Sequence, residues 1–158
     1  MRLKRVTIRE VAPDPVYGST KVTKLINRSM RNGKKTAAAK QVYAGLLLAA
    51  QQTNKKPLQV LEEVIEMITP QMEVRSRRVG GAAYQVPSPV RPRRGSALAI
   101  RWLVLEANKR PNKQYHTYAE KLAAEMVDAL QNQGGSIQKK EGSHRMAEAN
   151  KAFGHFRW

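Results

Sequence analysis

The sequence predicts a mainly α-helical fold, a single-domain bundle of about six helices with a protruding β-hairpin between the third and fourth helices. Three observations predict it. Six stretches of the 158 residues place apolar side chains at the spacing of an amphipathic helix. One stretch instead alternates on either side of Gly80 and Gly81, a pair that suits a tight hairpin turn. A chain of this length buries enough surface to fold as one domain without metal or disulfide.

The chain begins with a short basic segment that lacks apolar periodicity. Residues 1–18 carry Arg2, Lys4 and Arg5, and two prolines follow near the end of the segment. We expect an arm that is loose in the free protein and becomes ordered on its partner. Residues 19–158 then form the single helical domain.

The first three helices are delimited by glycine and proline. The first is predicted over 19–31, with Gly33 in the left-handed conformation past its end. The second runs over 36–52 with Thr36 as a plausible cap. The third begins at Pro57, which is favoured in a first turn, and stops at Pro70. Its carboxylates fall opposite the apolar stripe and are read as a solvated face.

The hairpin is predicted over 71–90 and is followed by three more helices. The fourth helix, 96–109, is the most apolar and is expected at the centre of the domain, with Trp102 as a core anchor. The fifth begins with the capping box of Thr117 and Glu120 and ends at two glycines, 134–135. The last is predicted to begin near Ser143.

The charge of the chain is strongly positive and unevenly distributed. There are 29 Lys and Arg against 12 Asp and Glu, a net charge of +17. No acid occurs between 15 and 61, and none occurs between 74 and 105, where seven arginines and no lysine are found. Arginine presents a planar fork of donors that matches phosphate oxygens. Nucleic acid is therefore the expected partner, with an anionic membrane surface or a merely soluble basic protein as alternatives.

Four further residues are interpreted individually. Lys34 and Lys35 precede a helix N-terminus, where backbone N–H groups assist in holding a phosphate. Arg101 lies in the most apolar helix, and its stem can follow that surface while its head reaches phosphate. Tyr84 lies beside the hairpin tip, and base stacking and packing against the hairpin base remain equally open.

Catalytic chemistry is not indicated. The three histidines have no metal-ligand spacing, and Arg28 stands where a phosphate-binding loop needs glycine. Without cysteine there is no disulfide or thiolate chemistry. No apolar run reaches the roughly 20 residues of a membrane span, and the start lacks the apolar region of a secretory signal. We expect a cytoplasmic monomer without catalytic residues, metal or cofactor.

Four segments together resemble one protein family. They are MEVRSRRVGGAAYQVPSPVRP at 72–92, GKK at 33–35, ALAIRW at 97–102 and HRMAEANKAFGHFRW at 144–158. Over nearly the whole chain the sequence is similar to the seventh-protein family of the bacterial small ribosomal subunit, the uS7 family. That family has a helical body with a protruding β-ribbon.

The resemblance implies a non-catalytic role in the ribosome. It implies binding to the 3′ major domain of small-subunit rRNA, nucleation of head assembly, and a hairpin that reaches toward the exit-site tRNA and the mRNA path. The C-terminal region would contact the eleventh small-subunit protein, with the ninth as a further neighbour.

The resemblance, taken together with the charges of the basic arm and the first helix, gives three sets of candidate residues. The rRNA-binding set is Arg2, Lys4, Arg5, Lys21, Arg28, Arg31, Lys34, Lys35, Arg75, Arg77, Arg78, Arg91, Arg93, Arg94 and Arg101. The set near tRNA and mRNA is Arg78, Gly80, Gly81 and Tyr84. The protein-contact set is His144, Arg145, Phe153, His155, Phe156 and Trp158.

Two departures and two rival functions accompany the resemblance. The loop 111–119 is longer than the family pattern, and Gln41 stands where an apolar residue is expected. A histone-like DNA-binding protein would share the charge and the arm, but it would prefer duplex DNA. An RNA-processing enzyme would need a clustered His, Glu and Lys site, which the sequence lacks.

Overall fold

Six α-helices and one β-hairpin follow one another in this computed structural model, which describes residues 10–156 apart from the side chain of Val79. The helices are α1 Thr20–Ser29, α2 Lys35–Thr53, α3 Pro57–Ile68, α4 Pro92–Lys109, α5 Tyr118–Leu130 and α6 Gly135–Ala149, the strands are β1 Met72–Val79 and β2 Ala82–Pro89, and a 3₁₀ helix spans Lys151–Phe156. The predicted fold class is confirmed. Within residues 10–156, every helix is too short or too polar to cross a membrane.

The core lies where the helices pack against α4 and α5. Helix α5 contacts α2, α3, α4 and α6, whereas α4 contacts α1, α3, α5 and α6. Fully buried side chains at helical spacing fill the space between them, each stabilising the fold by roughly 1.5–3 kcal/mol. Five of the large ones are Leu46, Leu61, Leu103, Leu122 and Met126. Trp102, predicted as a core anchor, is only partly buried and packs at the edge of this core.

Helices α2 and α5 approach each other at Gly45. A Cβ atom at this position would lie 3.1 Å from the Ala119 carbonyl oxygen and 3.3 Å from Leu122 Cδ2. Gln41, one turn earlier, accepts a hydrogen bond from the Ala119 N–H at 3.2 Å. The polar residue that departs from the expected apolar pattern therefore satisfies a donor in the first turn of α5.

Two helix starts differ from their prediction. Helix α2 begins at Lys35, so Thr36 lies in its first turn and is not the cap; Lys34 holds the cap position without a side-chain hydrogen bond. Helix α4 begins at Pro92, a turn before the predicted start. The reason is that proline is favoured at a first helical position, where its missing N–H costs nothing.

The last helix also begins earlier than predicted. Helix α5 ends at Leu130 and not at the glycine pair, and after the short connection 131–133 Gly134, with φ +90°, serves as the N-cap of α6. Ser143 therefore lies inside α6, where its hydroxyl donates to the Met72 carbonyl oxygen at 3.0 Å. By contrast, the predicted capping box of Thr117 and Glu120 is present at the start of α5.

The hairpin has the predicted turn and strands. Gly80 and Gly81 have φ values of +58° and +90°, which only glycine adopts readily at consecutive positions. Val79 pairs with Ala82 next to the turn, and Met72 pairs with Pro89 at the base. Eight residues per strand give a ribbon about 27 Å long at ~3.4 Å per residue. Helix α6 packs against β1 and holds the base to the body.

The segment before α1 is held to the body by Asp14, which is 5% exposed. Its carboxylate accepts hydrogen bonds from the Val16 and Tyr17 N–H groups at 3.1 Å and from the Tyr43 hydroxyl at 2.7 Å. The described part of the predicted arm, residues 10–18, is thus hydrogen-bonded to α2 through Asp14, and the looseness of the arm in the free protein stays a prediction. Arg2, Lys4 and Arg5 lie outside the described residues, and the boundary at residue 18 stays a prediction.

Candidate nucleic-acid interface

The first basic surface is formed by the hairpin and the start of α4. We call it the ribbon surface, and all six of its arginines are exposed. Its members are Arg75, Arg77, Arg78, Arg91, Arg93 and Arg94. Strand alternation places Arg75 and Arg77 on one face of the ribbon and Arg78 on the other. A cleft of about 330 Å³ lies along the first face and is lined by Arg75, Arg77 and Arg91. Three guanidinium groups therefore surround one concave site.

Within residues 10–156, Glu73 forms ion pairs with two arginines of this surface, Arg75 and Arg94. Its side chain is 8% exposed and contacts Arg75 Nη2 at 2.5 Å and Arg94 Nε at 2.6 Å. Burial alone would raise the pKa of Glu73, but the hydrogen bonds and charges of Arg94 and Arg75 outweigh it and lower that pKa. Two arginines that were predicted to bind rRNA, Arg75 and Arg94, thus form ion pairs with a carboxylate, although each side chain remains about half exposed. The bridge joins the base of β1 to the first turn of α4.

The C-terminal 3₁₀ helix packs on the other strand of the ribbon. The ring of Tyr84 lies 5.3 Å from that of Phe153 and 5.2 Å from that of Phe156. His155 in turn lies 4.0 Å from Phe156. At the ribbon base, His144 Nε2 accepts a hydrogen bond from the Gln71 N–H at 3.0 Å. The tail is therefore the packing partner of Tyr84, a third possibility beyond the two left open by the sequence.

This packing covers part of the surface of the predicted protein-contact set. Phe153 and Phe156 use part of their surface within the chain, because both are half-buried against Tyr84. Arg145 and His155 are exposed. Trp158 lies outside the described residues. No periodicity in the sequence linked the tail aromatics to the ribbon, since they are some 70 residues apart and meet only through the fold.

The second basic surface is formed where α1 turns into α2. We call it the corner surface, with Arg28, Arg31, Lys34 and Lys35 as its exposed cations. Gly33 has φ +73°, as predicted, and turns the chain so that Lys34 and Lys35 stand at the N-terminus of α2. The first N–H groups of a helix have no intrahelical acceptor and attract anions. This surface therefore offers both backbone and side-chain donors to a phosphate.

Two further candidates have separate positions. Lys21 is paired with Glu62 at 2.9 Å on the exposed side of α1 and α3. Arg101 is exposed on α4 and does not pair with Glu106, which instead contacts Lys109 at 2.8 Å. The structure brings neither of them into the ribbon surface or the corner surface.

Sequence reasoning missed a nearly buried ion network at the end of α4. The Arg110 guanidinium contacts Glu125 at 2.7 Å and also Asp128. Burial would lower the pKa of Arg110, but the hydrogen bonds and charges of Asp128 and Glu125 raise it. Glu125 also accepts from the Ser136 N–H and hydroxyl, at 2.9 and 2.7 Å. The network ties α4, α5 and α6 together, so this arginine belongs to the framework and not to an RNA surface.

No metal centre is formed by residues 10–156, because nowhere in that range do three or more His, Asp or Glu side chains converge as ligands would. The ribbon cleft is lined by arginines, Val86, Ser88 and Pro89, and this lining contains no histidine or carboxylate that could activate the Ser88 hydroxyl. The geometry of the site is that of a binding surface for an extended anion.

Comparison with known proteins agrees with this geometry. The sequence model of the family described as Ribosomal protein S7p/S5e matches residues 1–151. A protein of Thermoanaerobacter sp. (strain X514) named small ribosomal subunit protein uS7 is 54% identical over 157 residues, 99% of each chain. The proteins of the same name from Dictyoglomus thermophilum and Sulfurihydrogenibium sp. are 53% and 51% identical, over 97% and 95% of this chain and 96% and 94% of their own lengths.

Proposed function

Because the chain belongs to the Ribosomal protein S7p/S5e family, a family of ribosomal structural proteins and not of enzymes, we propose that it clamps the 3′ major domain of small-subunit rRNA between its ribbon and corner surfaces. Binding to rRNA in the small subunit follows from the family. The assignment of particular surfaces, and the consequences for assembly, are the proposal.

The observation that carries the proposal is the cleft of the ribbon surface. Three exposed arginines line it, and Glu73 forms an ion pair with one of them, Arg75. A-form RNA has a major groove too deep and narrow for side chains, so its recognition depends on shape, phosphates and unpaired bases. Guanidinium groups on a rigid ribbon suit that mode because each binds phosphate oxygens through two parallel donors.

Two separate surfaces on one rigid body give the clamp its mechanical effect. The corner surface is carried by α1 and α2, whereas the ribbon surface is carried by the hairpin and α4. An RNA strand on each would be held at a fixed distance from the other. Linking strands that are distant in the RNA sequence lowers the entropic cost of closing the loop between them. The same physics would let the protein nucleate folding of the subunit head.

The tip of the ribbon is proposed to face the exit-site tRNA and the mRNA path. The exposed residues there are Arg78, Gly80 and Gly81. Tyr84 has a different part in this proposal, since its ring is held by the tail. The remaining exposed tail residues, with Arg145 and His155 among them, are proposed to meet the eleventh small-subunit protein, and the ninth would be a neighbour.

The salt dependence of rRNA binding tests the clamp. A transcript of the 3′ major domain is titrated with wild-type protein and with the double variant Arg77→Ala/Arg91→Ala between 50 and 200 mM salt. Six to ten phosphate contacts predict that the wild-type protein loses about 10³–10⁵ in affinity over that range. The double variant should show a weaker salt dependence, with a slope of log K against log salt that is smaller in magnitude by about 2.

A charge-matched control decides the outcome. The double variant Lys113→Ala/Lys139→Ala removes two exposed lysines outside both surfaces. It should keep the wild-type slope. If it weakens binding as much as the arginine variant, affinity reflects net charge and the assignment of the cleft is wrong. Competition by duplex DNA at equal strength would favour the histone-like alternative.

A further inference from the structure

A small pocket lies beside the corner surface, between the end of α1, the start of α2, the end of α4 and the start of α5. Its volume is about 270 Å³. A cavity of about 150 Å³ is large enough to hold a benzene ring, so one flat aromatic heterocycle fits here. Ala37 and Ala38 form an apolar wall, and polar groups line the other sides. The mixture of a flat apolar wall and polar edges matches a planar heterocycle better than an ion.

The polar groups of the pocket are held in fixed orientations. Asn108 accepts from Arg31 Nη2 at 3.1 Å and donates to the Val104 carbonyl oxygen at 2.8 Å. The Ser29 and Tyr118 hydroxyls are hydrogen-bonded to each other at 2.7 Å. One hydroxyl hydrogen of that pair, the second Asn108 amide hydrogen and the spare lone pairs remain for a ligand. Donors and acceptors therefore stand ready at defined positions.

Burial, opposed by the Ser29 hydrogen bond and the Arg31 charge, raises the pKa of Tyr118, so its hydroxyl keeps its proton at neutral pH. The pocket rim carries two exposed cations, Arg31 and Lys34. A ligand that enters with its polar edge toward Asn108 would leave a negative substituent at this rim. A nucleotide has both parts.

We propose that this pocket takes one unpaired nucleobase of the rRNA, with a flanking phosphate on Arg31 and Lys34. The inference rests on the proposed rRNA clamp and adds a base-recognition subsite to its corner surface. The base lies with one face on the wall at Ala37 and its edge toward Asn108 and the Ser29–Tyr118 pair. A site of this kind reads an extruded base, which phosphate contacts alone cannot do.

Filling the pocket tests the proposal without breaking its internal hydrogen bonds. Ala37 is exposed on α2, so Ala37→Leu leaves the core untouched. Ala44 is also exposed on α2, about 10 Å further along and outside the pocket, so Ala44→Leu is the matched control. Affinity for the 3′ major-domain transcript is measured across the same salt range, and base modification and backbone cleavage are mapped on the bound RNA.

Ala37→Leu should weaken binding about 5- to 160-fold, the range for loss of one stacked base, while the salt slope stays unchanged because no phosphate contact is lost. One base should lose its protection while the backbone protections persist. Ala37→Gln, which fills less space and suits a helix, should show the same pattern if the leucine variant folds poorly.

Equal binding and equal base protection by the Ala37→Leu and Ala44→Leu proteins would overturn the base pocket but leave the clamp standing. A changed slope would also overturn it, because phosphate contacts would then account for the loss. Failure of the wild-type protein to bind the transcript would sink the clamp itself, and the two failures are thus distinguishable.

Discussion

The bridge at Glu73 gives the sharpest prediction about stability. Replacing Glu73 with Gln keeps the shape of the side chain but removes the charge that holds Arg75 and Arg94. Hydrogen bonds to charged groups contribute about 1.5–3 kcal/mol each. Both arginines are about half exposed, so solvent screening reduces the total, and we expect a loss of about 2 kcal/mol. For a domain of this size that lowers Tm by about 4–8 °C.

The pH dependence of this loss carries a definite sign. The pKa of Glu73 is lowered in the folded protein, so its contribution is present above the unfolded value near 4.5 and disappears as pH falls through the lower folded value. Melting curves by circular dichroism should therefore separate Glu73→Gln from wild type at pH 7. The two curves should converge as the pH falls below 4.5 and through the lower pKa of the folded protein.

An exposed ion pair provides the control. Glu62→Gln removes the partner of Lys21, and both side chains of that pair are 40% or more exposed. It should change stability by no more than about 0.5 kcal/mol. A Glu73→Gln protein that melts like wild type at pH 7 would refute the bridge. A gap that stays constant as the pH falls until Glu73 is protonated in the folded protein would show that the loss is one of packing and not of charge.

Three further predictions test other contacts. Tyr84→Ala removes both ring contacts of the tail and should raise amide hydrogen exchange in residues 151–156 several-fold, with α2 unchanged; unaltered tail protection would show that the aromatic contacts do not hold it. Asp14→Asn weakens the hydrogen bond that raises the pKa of Tyr43 to about 12, so a spectroscopic titration should show this tyrosine ionising closer to 10, whereas an unmoved titration would exclude Asp14 as the cause. Gly45→Val should destabilise by about 1–3 kcal/mol because it overpacks the contact of α2 with α5. Gly142→Ala, in open space on α6, should instead stabilise by about 0.5–1 kcal/mol, and equal effects of the two substitutions would contradict the packing argument.

Local signals in the sequence predicted most elements of the fold. The glycine pair at the ribbon tip, the proline at the start of α3 and the capping box at Thr117 each impose their geometry within a few residues, and all three are present. The start of α6 differs from its prediction because two adjacent glycines are typical of a helix end, whereas here Gly134 is the N-cap of α6 and Gly135 is its first residue.

Long-range partners could not be predicted in the same way. Charge patterning identified the arginines of the ribbon surface, but it did not reveal that Glu73 would meet Arg94, which is 21 residues away along the chain. Tyr84 likewise meets Phe153 because α6 packs against β1 and the tail follows α6. Arg110 looks like any other basic residue in the sequence, and its place in a nearly buried network depends on how α4 and α5 cross.

The two-stranded ribbon has a consequence for the protein before it meets RNA. A two-stranded sheet has two edges, and beyond the base, where Ser143 donates to the Met72 carbonyl oxygen, each edge presents backbone groups that could pair with a second molecule. Pro87 and Pro89 remove N–H donors from β2, and the like charges of the arginines repel another ribbon. The guanidinium groups that suit phosphate therefore also disfavour edge-to-edge strand pairing between newly made copies of the chain.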